Sequence, residues 1–97
     1  MILDLVETLC DLVACPSVNP MGREVQGAEY FEHQMTDCLE RLFQRLGVAY
    51  VRQPVAPLRE NIVARIDGRV PAESGGPMLM FDAHQDTVPV EGMTVEP

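Results

Sequence analysis

The stretch that most constrains this chain is Met78-Leu79-Met80-Phe81-Asp82-Ala83-His84-Gln85-Asp86-Thr87-Val88-Pro89. Its four opening apolar residues fit a strand buried on both faces. Such a strand belongs to an α/β fold, where ligands and chemistry gather at the carboxyl ends of strands. His84 and Asp86 fall at that end. They are two apart, so on extended backbone their side chains point to the same side. A metal-ligating imidazole binds through one nitrogen and usually donates its other N–H to a carboxylate or carbonyl, which fixes the tautomer. The pair therefore reads as a metal ligand, His84, oriented by Asp86. The pattern is short, and it also fits two polar residues bonded to loop backbone at a strand end. Asp82 shares the phase of the pair but belongs two residues deeper.

The chain before this stretch reads as two helices and two strands. In residues 2–14, Ile2, Leu5, Val6, Leu9, Leu12 and Val13 recur at helical spacing, and Pro16 ends the helix. Pro16-Ser17-Val18-Asn19-Pro20-Met21-Gly22 is a loop dense in turn formers, either a connector or part of a site. Residues 24–46 carry a second stripe of Ala28, Phe31, Met35, Cys38, Leu39, Leu42 and Leu46, with Gly47 as the residue that closes the helix. At ~1.5 Å per residue that helix would be roughly 35 Å long, although Gly27 weakens its first turn. His33 falls among Glu29, Asp37 and Glu40 on the polar face and reads as a solvated surface histidine. Val48–Gln53 and Asn61–Asp67 read as strands. The short polar loop from Gly68 to Pro77 predicts that the second and third strands are antiparallel.

Size and charge narrow the function. At 97 residues the chain is at most one small domain, and a net charge of −8 argues against nucleic acid or an anionic membrane as partner. No secretory leader is expected, because Asp4 and Glu7 interrupt the first apolar segment, and no run approaches the length of a membrane span. Cys10, Cys15 and Cys38 form no Cys-x-x-Cys and read as buried reduced thiols of a cytoplasmic protein. No Gly-rich phosphate loop or nucleophile elbow is present. A zinc site needs three or four protein ligands, and this chain offers one good candidate.

Taken in order, these residues resemble the amino-terminal part of the zinc aminoacylase and deacylase family. Acetylornithine deacetylase, succinyl-diaminopimelate desuccinylase, carboxypeptidase G and aminoacylase-1 belong to it. The likeness runs from Cys15-Pro16-Ser17-Val18-Asn19-Pro20 through Leu46-Gly47 and Asn61-Ile62-Val63-Ala64-Arg65-Ile66 to His84-Gln85-Asp86-Thr87-Val88-Pro89. It implies an α/β sandwich catalytic domain around a mixed sheet, of which residues 1–97 would supply two helices and about three strands. The lid or dimerisation domain and the rest of the catalytic domain would lie elsewhere. It further implies two metal ions, zinc or in some cases cobalt, with His84 ligating one and Asp86 counted among the catalytic residues. The implied substrates are N-acyl amino acids or small peptides, cleaved at the amide by a protein that can be a homodimer. The bridging aspartate, the general-base glutamate and the other ligands of relatives have no counterpart here, so the 97-residue chain is expected to be a fragment without activity of its own. A reading from another class stays open, that of a small non-catalytic α/β module whose exposed strands bind a partner protein.

Overall fold

Asp4 starts the first helix. Its carboxylate accepts the Glu7 N–H at 2.9 Å, and its carbonyl accepts the Thr8 hydroxyl at 2.6 Å. The first bond satisfies a backbone donor that a helix start leaves free. In the computed structural model, which describes residues 2–97, helix α1 therefore spans Leu5–Ala14 and leaves Ile2 to Asp4 outside. It ends as expected before Pro16.

The second helix, α2, spans His33–Leu46 and is closed by Gly47 in the left-handed region, φ 68°. At ~1.5 Å per residue it is about 21 Å long, well short of the expected helix. Residues 24–32 are not helical because two positions in them leave helical space: Gly27 at φ 127° and Phe31 at φ 66°. The backbone there serves the Pro16–Gly22 loop instead. The Val18 N–H donates to the Glu29 carbonyl at 2.8 Å, and the Phe31 N–H donates to the Val18 carbonyl at 3.0 Å.

Strand β1, Ala49–Ala56, pairs antiparallel with β2, Arg59–Arg65. Both strands are sheet edges, so β1 runs through Pro54, where the missing N–H costs no ladder bond, with an irregularity between Pro54 and Ala56. Pro57 and Leu58 make the turn, Leu58 at φ 62°. One face of this hairpin lies on α2. Phe43 and Tyr50 place their rings 6.1 Å apart, and Arg52 bonds Asp37, Glu40 and Glu60 at 2.8–2.9 Å. These partners, Glu60 foremost, hold the Arg52 guanidinium above its ordinary pKa against the opposing cost of burial.

The expected third strand does not form. Residues 76–86 join no ladder, and the one bridge nearby pairs Thr87 with Val18 in parallel. Met78, Leu79, Met80 and Phe81 are 76–89% exposed. Four apolar residues in a row describe a strand that could be buried, and burial also requires neighbouring layers. None is present among the described residues. The antiparallel pair is thus β1 with β2, and the expectation for the second and third strands is corrected. The result is a mixed α/β arrangement with Met35 and Leu42 as its only buried large apolar side chains among the described residues. A compact domain of this length has a radius of gyration of roughly 12–13 Å. Here it is 16.0 Å.

The cysteine reading is also corrected. Cys15 and Cys38 form a disulfide that ties the end of α1 to α2, and Cys10 is exposed. Closing a loop with a sequence separation of 23 stabilises the fold by about 3 kcal/mol in the chain-entropy account. No helix among the described residues is long and apolar enough to cross a membrane.

Candidate functional site

Two sets of bonds place His84 and Asp86. From one side, the Gln85 amide straps the segment to the hairpin–helix unit. Its Nε2 donates to the Glu60 carbonyl at 2.8 Å, and its Oε1 accepts the Thr36 hydroxyl at 2.9 Å. Thr36 is fully buried, so this strap has a fixed anchor. From the other side, the Pro16–Gly22 loop grips the next two residues. The Thr87 N–H donates to the Ser17 carbonyl at 2.9 Å, and the Asn19 N–H donates to the Thr87 carbonyl at 2.8 Å. Alternation along an extended chain then turns Gln85 inward and leaves His84 and Asp86 together, as the spacing predicts.

Asp86 uses both carboxylate oxygens. Oδ2 accepts Asn19 Nδ2 at 2.8 Å, and Oδ1 lies 3.0 Å from His84 Nδ1. Asn19 is itself oriented, because its Oδ1 accepts the Met21 N–H at 2.8 Å. The bond from Asn19 holds the Asp86 carboxyl below the usual carboxylate range. Burial opposes that shift and His84 adds to it.

The tautomer of His84 follows from its partners. Nδ1 also lies 2.8 Å from the Asp86 carbonyl oxygen. Both neighbours are acceptors, so Nδ1 carries the hydrogen, and in the neutral ring the Nε2 lone pair is left free. The His84 side chain is 83% exposed. One imidazole is thus oriented and available as a ligand. Asp86 is occupied and supplies no second bond to an ion. Among the described residues no group of three His, Cys, Asp or Glu side chains gathers that could hold a metal. The arrangement fits one ligand of a metal site and falls short of a complete one. Asp82 is exposed and takes no part.

The pair lines a cleft of about 310 Å³ together with Arg59 and Glu60 of β2 and Glu32. Arg59 grips Glu32 with two bonds, at 2.9 and 2.6 Å, and lies 5.3 Å above the Phe31 ring. Its guanidinium is held above its ordinary pKa by Glu32, against burial, with a smaller contribution from Asp86. His33 opens α2 and is not the solvated residue expected. Its Nδ1 is buried without a hydrogen-bond partner, as is Ser17 Oγ.

Sequence reasoning missed Asn19, Gln85 and Arg59. Gln85 carried a usable signal, since the residue between two site residues on extended backbone must face the opposite side. Asn19 and Arg59 carried none beyond their loop and strand positions. No family model matches the chain, and no curated protein and no solved structure matches it significantly.

Proposed function

We propose that residues 1–97 are the first part of the catalytic domain of a dinuclear-zinc amidohydrolase of the deacylase and exopeptidase type, similar to acetylornithine deacetylase. The observation that carries this reading is the pair of acceptors, the carbonyl and the carboxylate of Asp86, at His84 Nδ1. A ring whose Nδ1–H is held by both the carbonyl and the carboxylate of Asp86, with Nε2 free, is prepared as a metal ligand. His84 would hold one zinc or cobalt ion, and Asp86 would orient the ring and raise its basicity. The bound ions would polarise the scissile amide carbonyl and lower the pKa of a water. The cleft beside His84 would take an N-acyl amino acid or small peptide. Further ligands, the general base and any dimer interface would come from outside these residues. The uncovered Met78–Phe81 run and the extended shape support this incomplete-domain reading.

The same uncovered surfaces favour the second reading, a non-catalytic module that binds a protein partner through them. A cytoplasmic location remains part of the proposal, although the Cys15–Cys38 disulfide belongs more naturally to an oxidising compartment. The discriminating experiment reads the genomic frame beyond the Pro97 codon and assays its whole product for zinc- or cobalt-dependent release of amino acid from N-acyl substrates. Activity lost in His84→Ala is expected. A stop codon after Pro97, with stable capture of a protein partner, would establish the second reading instead. The 97-residue chain by itself is expected to be inactive and to bind zinc no tighter than roughly micromolar, since one imidazole provides one bond.

A further inference from the structure

We propose that the Cys15–Cys38 disulfide is an exchange site for low-molecular-weight thiols that carry carboxylates. The disulfide lies in a second cleft of about 290 Å³, away from His84, lined by Asp11, Cys15, Cys38, Arg41 and Arg45 among others. Neither cysteine is buried. Cys38, Arg41 and Arg45 recur at helical spacing and share one face of α2. Arg41 Nη2 donates to Cys38 Sγ at 3.2 Å. Among the described residues, neither Arg41 nor Arg45 forms a salt bridge, whereas Arg23, Arg52, Arg59 and Arg65 all do. In a chain of net charge −8, two unpaired guanidiniums beside a reachable disulfide make a local positive site with one carboxylate, Asp11, against it.

The contact at Cys38 sets the direction of exchange. A thiolate attacks Cys15 Sγ in line with the disulfide. The new sulfur–sulfur bond forms at Cys15, the old one breaks, and its electron pair leaves on Cys38 Sγ. The Arg41 guanidinium stabilises that thiolate and so makes it a better leaving group. A second thiolate then attacks the small-molecule sulfur of the mixed disulfide, and Cys15 leaves as thiolate and takes up a proton. In sum, two thiols are oxidised to their disulfide and two cysteines are reduced. Arg45 contributes charge that draws in a carboxylate-bearing thiol.

The test uses the purified chain carrying Cys10→Ser, so that the exposed third thiol cannot shuffle the bond. It is mixed with excess reduced glutathione, net negative, or with 2-mercaptoethanol, uncharged, then quenched in acid and mapped by mass spectrometry. The first mixed disulfide is expected at Cys15. Arg41→Gln is expected to slow both thiols about three- to tenfold, through the poorer leaving group. Arg45→Gln is expected to slow glutathione about two- to threefold and mercaptoethanol little, through lost attraction of charge. In concentrated urea the differences between variants should vanish. First adducts divided equally between Cys15 and Cys38 would overturn the proposal. So would rates insensitive to both arginines, or a folded chain that glutathione does not touch while the unfolded chain reacts.

Discussion

Residues 33–65 and residues 66–97 are of similar length and differ in almost everything else. The first stretch folds into α2, β1 and β2, buries Met35, Thr36 and Leu42, and gathers three carboxylates around Arg52. The second holds the apolar run Met78–Phe81, leaves it exposed, and has one short 3₁₀ turn, Ala72–Ser74. Hydrophobicity does not separate them. What separates them is whether a complementary face lies within the chain. The hairpin closes through the two-residue Pro57–Leu58 turn and finds α2 immediately before it. The Met78–Phe81 run has no such neighbour. His84 and Asp86 sit where the second stretch is tied down to the rest, by Gln85 on one side and Asn19 on the other.

The largest test of this contrast is a pair of truncations. Leu42 is 7% exposed and Phe81 is 89% exposed. Leu42→Ala is expected to cost about 2–4 kcal/mol, enough to abolish a cooperative melt in a marginal chain, while Phe81→Ala stays within about 0.5 kcal/mol. Urea denaturation followed by circular dichroism measures both. A costly Phe81→Ala would break the comparison, because it would show the run buried in solution.

Asp86→Asn sharpens it at the site. Replacing a carboxylate that orients a ligating histidine typically costs ~10–100-fold in metal affinity. Here the Asp86 carbonyl also holds Nδ1, at 2.8 Å, and survives the substitution, so the loss should lie near tenfold. Calorimetric titration with zinc, using His84→Ala as the zero, gives the ratio. Unchanged affinity would leave Asp86 as a loop-bonding residue with no metal role.

Gln85→Ala is expected to cost about 1–2 kcal/mol through its two lost bonds, while the Thr36 hydroxyl keeps the Glu32 carbonyl, at 3.0 Å, as an acceptor. Amide exchange should also quicken at Thr87, whose N–H bond to Ser17 depends on the strap. Protection that is unaltered there would mean that the Asn19 loop alone holds the segment.

Local chemistry was the part legible in the sequence. Pro16 after α1, Gly47 after α2, the presence of two strands before Gly68 and the convergence of His84 with Asp86 each follow from residues close together in the chain. The failures share a cause. The extra turns expected over residues 24–32 were lost because Val18, several residues earlier, takes up that backbone. β1 runs on from Gln53 through Pro54 to Ala56 because an edge strand tolerates a proline. The third strand and the state of the thiols both depend on which distant segment arrives beside them. Asn19 is the clearest case. A turn-forming asparagine in a Pro-rich loop gives no sign that its amide reaches across 67 residues of sequence to Asp86.

The smallest expected effect comes from that bond. Asn19→Ala removes the strongest influence lowering the Asp86 pKa, so the value should rise toward the ordinary aspartate range. Because the folded-state pKa is depressed, ionised Asp86 contributes stability that is fully present above its unfolded value, near 3.9, and is lost as pH falls through the folded value. The Asn19→Ala penalty should therefore be greatest around neutrality and shrink below about pH 4, as the carboxylate that Asn19 served becomes protonated in both proteins. A remainder independent of pH should persist, since Asn19 also accepts the Met21 N–H. Carbon-13 titration of the Asp86 carboxyl and urea melts across the acid range read the two halves of the prediction. An Asp86 pKa unmoved by Asn19→Ala would mean that the loop does not grip the carboxylate in solution. His84 would then be oriented by the 84–86 segment alone, and the tie between the two regions would rest on Gln85 and backbone bonds.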